Sequence, residues 1–218
     1  ISLVVEQRPF PRPQLATIFY PENNRRRALA ALRSTLRYLR NGFRANGAEA
    51  EDFLAIDRRS LAFDPKEPYQ LDLEYLQRAY NQASSQDKPD LDCLMAATNS
   101  IRGDFLGMFN VPDSTFFEDW IIVNQEIWHR RTSFVFDRLT EEQLNLGDYQ
   151  GAAETLDRWL THNPLSEIAN HRKIKLYRLE GNRVDALDTF QTHSKFLCEK
   201  LGLDPNPETL ALIQKIRS

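Results

Sequence analysis

The sequence predicts a mainly α-helical protein in two parts: a winged helix-turn-helix, then an all-α domain with a tetratricopeptide-like repeat. Three observations carry that expectation. A long helix with a single apolar stripe is followed by a short hairpin pattern, every segment from Asp72 onward has helical periodicity, and one helix-turn-helix motif recurs after 34 residues.

Taken in order, Ile1–Val5 reads as the end of a helix or as a buried segment, ended by the loop Gln7-Arg8-Pro9-Phe10-Pro11. Pro13 suits the first turn of the next helix, where its missing N–H costs nothing. Leu15, Ile18 and Phe19 form that helix's buried face and Pro21 ends it. Asn23 or Asn24 caps a long helix that runs to about Asn46-Gly47. Its apolar residues Leu29, Leu32, Leu36, Leu39 and Phe43 have the 3-4-3-4 spacing of one buried stripe. The runs Phe53–Ile56 and Leu61–Phe63 flank Asp57-Arg58-Arg59-Ser60 and read as a hairpin whose turn lacks glycine. Pro65 and Pro68 mark the boundary that follows.

Beyond it the pattern is helical only: Asp72–Asn81, Asp90–Ile101, Phe116–Leu146, Tyr149–His162, Ser166–Glu180, Arg183–Leu201 and Pro207–Arg217. Leu146-Gly147-Asp148-Tyr149-x-x-Ala152 recurs as Glu180-Gly181-Asn182-Arg183-x-x-Ala186. The offset of 34 residues is the tetratricopeptide period, and its small residues let two helices approach closely.

Charge separates the same two parts. The 218 residues hold 28 basic and 31 acidic side chains, net −3. Residues 1–70 carry 12 basic and 8 acidic groups, net +4, whereas 71–218 carry 16 and 23, net −7. Between Arg25 and Arg44 there are seven arginines and no acid. On a helical wheel Arg26, Arg33, Arg37, Arg40 and Arg44 fall in one band beside the apolar stripe. The planar guanidinium fork matches phosphate oxygens and guanine edges, so this face predicts contact with duplex DNA. Arg26, Arg37 and Arg44 are expected to neutralise phosphates, and Arg33, Arg40 and Ser34 to compete for base edges. Arg58 and Arg59 at the hairpin tip are expected to touch the adjacent backbone. The competing reading is a solvated face, with Arg33 and Arg40 held in structural contacts at the apolar edge.

Other classes lose support. No apolar run approaches the roughly 20 residues of a membrane span. Two cysteines, Cys93 and Cys198, form no disulfide framework, which points to a reducing, cytoplasmic setting; they are expected to pack in apolar faces. No nucleophile elbow, zinc-protease motif, P-loop or dinucleotide fingerprint is present. His129, His162, His171 and His193 do not combine in ligand spacing and read as surface or capping residues. Phe116, Phe117, Trp120 and Trp128 read as helix-packing core. No catalytic, metal or cofactor site is expected.

Leu32-Arg33-x-x-Leu36-x-x-Leu39-Arg40-x-x-Phe43 resembles the recognition-helix region of the Streptomyces antibiotic regulatory protein (SARP) family of transcriptional activators. Leu15-x-x-x-Phe19-Tyr20-Pro21 looks like the preceding helix and its end. Arg102-Gly103-Asp104-Phe105-Leu106 and Phe117-Glu118-Asp119-Trp120 look like the opening of that family's bacterial transcriptional activator domain. Gly147-Asp148-Tyr149 and Leu201-Gly202-Leu203-Asp204-Pro205-x-Pro207-Glu208-Thr209 resemble its remainder. The resemblance implies an OmpR-type winged helix over 1–68, lacking its N-terminal sheet, and a tetratricopeptide-like activator domain over 69–218. The chain begins at Ile1 and reads as a fragment. The implied function is a non-enzymatic activator that binds promoter DNA and contacts RNA polymerase or another protein, with a homodimer as a further option. The rival reading is a protein-interaction adaptor or signalling module whose winged helix binds no DNA.

Overall fold

A computed structural model of the chain describes residues 1–85, 88–109 and 115–217. It is mostly helical and divides into two compact units. One comprises Ile1–Leu73 with Leu106–Glu126; the other comprises Glu74–Phe105 and the chain from Ile127 onward.

In the first unit a short helix α1 (Ser2–Glu6) is followed by strand β1 (Phe10–Pro11), α2 (Arg12–Phe19) and α3 (Arg25–Ala45). A 3₁₀ turn (Ala50–Asp52) leads into β2 (Leu54–Ile56) and β3 (Ser60–Phe63). The three strands form an antiparallel sheet in the order β1-β3-β2. Strand β1 corrects the expected loop at 7–11: Phe10 pairs with Leu61 and Pro11 with Ser60. Two prolines hide this strand in the sequence, yet a proline is tolerated at a sheet edge, where no ladder donor is required. Its partner lies fifty residues downstream in the sequence, so no local pattern reports the pairing.

The core of this unit is Phe10, Leu15, Ala16, Ala28, Leu32, Leu36 and Leu61. The apolar stripe of α3 thus packs on α2 and the sheet, and the Tyr20 hydroxyl bonds Thr35 Oγ1 across the two helices. Leu39 departs from the expected stripe and is 39% exposed. By that turn α3 has passed the core, and its next apolar residue, Phe43, stacks on Phe53 with centroids 5.7 Å apart. Asn24 caps α3 by accepting from the Arg27 amide at 3.0 Å, and Gly47 takes the left-handed φ of 77° that ends it.

The hairpin turn needs no glycine because Asp57 does the work of one. Its Oδ1 accepts from the Arg59 and Ser60 amides at 2.5 and 2.7 Å, and Oδ2 accepts from Ser60 Oγ at 2.9 Å. The bend is thereby closed by a side chain, with no positive φ at any of its residues. Among residues 106–126, Phe117 packs on Phe19 at 5.7 Å, and Trp120 Nε1 donates to Glu6 Oε1 at 2.8 Å. Phe116 corrects the aromatic expectation, since it points outward and is 58% exposed.

The second unit is built from α4 (Asp72–Ser85), α5 (Leu91–Ser100), α6 (Thr115–Leu146), α7 (Tyr149–His162), α8 (Glu167–Leu179), α9 (Arg183–Leu201) and α10 (Pro207–Arg217). The first residues of α4 and of α6 belong to the other unit. The 34-residue repeat is a repeat of hydrogen bonds. The Gly147 and Asp148 amides donate to the Leu144 and Gln143 carbonyls, as Gly181 and Asn182 donate to Arg178 and Tyr177. Both glycines have φ of 75°, the left-handed stop of a Schellman motif. The next side chain then caps the following helix: Asp148 accepts from the Gly151 amide and Asn182 from the Asp185 amide. Ala152 and Ala186 are fully buried at equivalent places. Trp159 stacks on Phe136 at 5.8 Å within one cluster, and Ile174, Ala186, Leu212, Ile213 and Ile216 form another. Two expectations are corrected here. His193 is buried, and Cys198 is exposed. Each lies on α9, where the face turned toward α8 decides burial rather than polarity.

Candidate nucleic-acid interface

The arginine row is fixed by the packing of α3. Because Leu32 and Leu36 point into the core, the band about 100° around the helix must point away from it. Arg26, Arg33, Ser34, Arg37 and Arg44 are accordingly exposed, Arg40 is half-buried, and Arg58 and Arg59 stand exposed at the hairpin turn.

The row is not uniform. Arg40 Nε donates to Glu51 Oε1 at 2.7 Å, and Arg44 Nε donates to Glu49 Oε2 at 3.0 Å. Both acids belong to the 3₁₀ turn region beyond the helix, so the C-terminal end of the row is partly neutralised from outside α3. The Arg40 hydrogen bond holds the Glu51 carboxyl below its ordinary pKa. Arg26, Arg33 and Arg37 form no ion pair with a described residue. Arg37 lies 5.6 Å from the ring centre of Tyr38, which is 67% exposed. The unneutralised arginines of the row therefore lie toward the N-terminus of α3, from Arg26 to Arg37.

Arg33 meets the hairpin. With Arg58, Arg59 and Arg12 it lines a recess of about 430 Å³, whose walls are Pro11, Pro13, Leu29 and Leu32. Strand β1 brings Arg12 there, because the Arg12 amide donates to the Arg59 carbonyl at 2.8 Å. Arg12 was missed by sequence reasoning: it reads as an unremarkable first helical residue, 47 positions from Arg59. The available signal was a basic residue directly before Pro13, recognisable only once β1 is paired with β3.

The arrangement suits an extended polyanion better than a small substrate. Exposed guanidinium groups on one helix face and one turn present donors in a line, and Arg26, Arg33 and Arg37 span about 16 Å at 1.5 Å per residue. Among the described residues, no three His, Cys, Asp or Glu side chains cluster to hold a metal ion, and no helix is long and apolar enough to cross a membrane.

Residues 71–217 match the family described as bacterial transcriptional activator domain. Among solved structures, Mycobacterium tuberculosis EmbR, in complex with a low-affinity phosphopeptide, has a TM-score of 0.64 to the chain at 20% identity. The match covers 99% of this chain and 58% of that one, so the chain spans a little over half of EmbR's length. At that identity the likeness establishes a shared fold. No curated relative matches the sequence.

Proposed function

The chain belongs to the bacterial transcriptional activator domain family, and from that premise we propose that it is a cytoplasmic activator that binds promoter DNA through an OmpR-type winged helix. Family membership places it among transcriptional activator-type regulators rather than enzymes. In the proposed division of labour, residues 1–68 form the DNA-binding domain and 69–218 the tetratricopeptide-like activator domain.

One observation carries the reading: Arg26, Arg33 and Arg37 share one exposed face of α3 without a carboxylate among the described residues, and Arg58 and Arg59 join Arg33 at its edge. In this role α3 enters the major groove. Arg26 and Arg37 contact phosphates, Ser34 lies nearest the base edges, Arg33 stands on the side of the hairpin, and the hairpin follows the backbone. Arg40 and Arg44 contribute by sharing or exchanging their glutamate partners. The net −7 of residues 71–218 disfavours DNA and leaves that part to contact RNA polymerase, another regulator or a second copy.

A gel-shift salt titration tests this. Each phosphate contact adds about −0.9 to the slope of log affinity against log salt. The triple substitution Arg26→Ala/Arg33→Ala/Arg37→Ala is expected to make the slope shallower by roughly 2 to 3 units, while the circular dichroism spectrum stays unchanged. Absence of duplex binding by the wild type at low salt refutes the reading.

A further inference from the structure

We propose that Arg12, Arg33, Arg58 and Arg59 form a phosphate-binding recess that grips one backbone phosphate of the bound duplex. The inference rests on the DNA-binding reading above and adds to it a residue outside both α3 and the hairpin.

Four of the residues lining this recess are arginines, and its other walls are apolar. Like charges gathered beside low-dielectric walls attract an anion strongly, because water screens them less there than on an open helix face. Arg12 Nε is buried and has no hydrogen-bond partner. A buried donor on a charged group is normally paired, so the Arg12 guanidinium is left short of hydrogen bonds and would be stabilised by an anion brought beside it. Arg12 acts electrostatically on the Asp57 carboxylate, both of whose oxygens are engaged in the hairpin turn.

The backbone of α2 adds little as an anion donor. Its first amide, from Arg12, is spent on the Arg59 carbonyl, and Pro13 has no N–H. Recognition therefore falls to the guanidinium groups, whose forked donors fit the two free oxygens of a phosphodiester. The recess of about 430 Å³ admits such a group with part of its adjoining sugar. The same chemistry accepts a free phosphate ion, and the experiment separates the two sources.

Duplex binding by the full chain would be measured across a salt series for wild type, Arg12→Ala, Arg12→Lys and Arg178→Ala, the last removing an equal charge from exposed α8. In parallel, thermal unfolding of each would be followed with added inorganic phosphate. The proposal expects Arg12→Ala to flatten the salt slope by about 0.9 and to weaken all duplex sequences by the same factor. Arg12→Lys should restore the slope but only part of the affinity, and Arg178→Ala should leave both unchanged. If Arg12→Ala fails to fold, Arg12→Lys decides through its affinity loss at unchanged slope. A wild-type slope in Arg12→Ala overturns the proposal. Arg12-dependent stabilisation by inorganic phosphate without any change in duplex binding also overturns it, in favour of a free-anion site. Should the wild type bind no duplex at all, the DNA reading fails by itself, and the phosphate series still reports on the recess.

Discussion

On α8 the Arg172 guanidinium lies 2.7 and 3.3 Å from the two oxygens of Asp137, with Glu141 at 3.8 Å, and its side chain is only 16% exposed. On α3, Arg26, Arg33 and Arg37 are exposed and hold no carboxylate among the described residues. The residue type is the same and the environments are opposite. A cation withdrawn from water must find an anion, because desolvation otherwise disfavours its charge. A cation in water has no such requirement, so its field remains available to something outside the chain. Arg40 stands between the two cases, half-buried and paired with Glu51.

Substitutions can break this contrast, beginning with Arg172. Arg172→Ala leaves the part-buried Asp137 facing Glu141 without a counter-charge, and a stability loss of about 1–3 kcal/mol is expected from urea unfolding. Arg33→Ala and Arg37→Ala should stay within about 0.5 kcal/mol of wild type in the same assay. Equal losses at all three positions would erase the distinction.

A smaller effect sharpens it from the other side. Glu49→Gln/Glu51→Gln releases Arg44 and Arg40 and is expected to steepen the salt slope of duplex binding by up to about 1.8 units. An unchanged slope would place that end of α3 outside the interface.

The smallest effect concerns the hairpin. Hydrogen bonds from the Ser60 and Arg59 amides and the Ser60 hydroxyl hold the Asp57 carboxyl below its ordinary pKa. A depressed carboxylate stabilises the folded turn above its unfolded pKa, and that contribution disappears as pH falls through the folded value. Protection of the Arg59 and Ser60 amides against exchange, relative to their intrinsic rates, should therefore fall in acid in the wild type. In Asp57→Asn it should show no such acid-linked step, and a step of equal size there would assign it to another group.

How much could be read beforehand depended on the distance between cause and effect along the chain. The 34-residue repeat is legible because its glycine stop and Asp or Asn cap act within six residues, so equivalent local residues give equivalent hydrogen bonds. The α3 stripe is legible as far as Leu36 and misleads at Leu39, because periodicity cannot report where the core ends. Glu49 and Glu51 were visible just past the helix stop, but a count of acids restricted to α3 passes over them. Arg12 was illegible, since its placement depends on pairing Pro11 with Ser60, between prolines and across a long sequence separation.

Shared helix faces, helix stops and the succession of a basic segment by an acidic one are all written along the chain, because they follow from 3.6-residue geometry, caps and charge counts. Long-range packing alone fixes which arginines remain free, that Phe117 and Trp120 join the N-terminal unit, and that four arginines line one recess. Those outcomes depend on which surfaces meet, and a meeting between distant segments is set by packing and desolvation rather than by any local pattern.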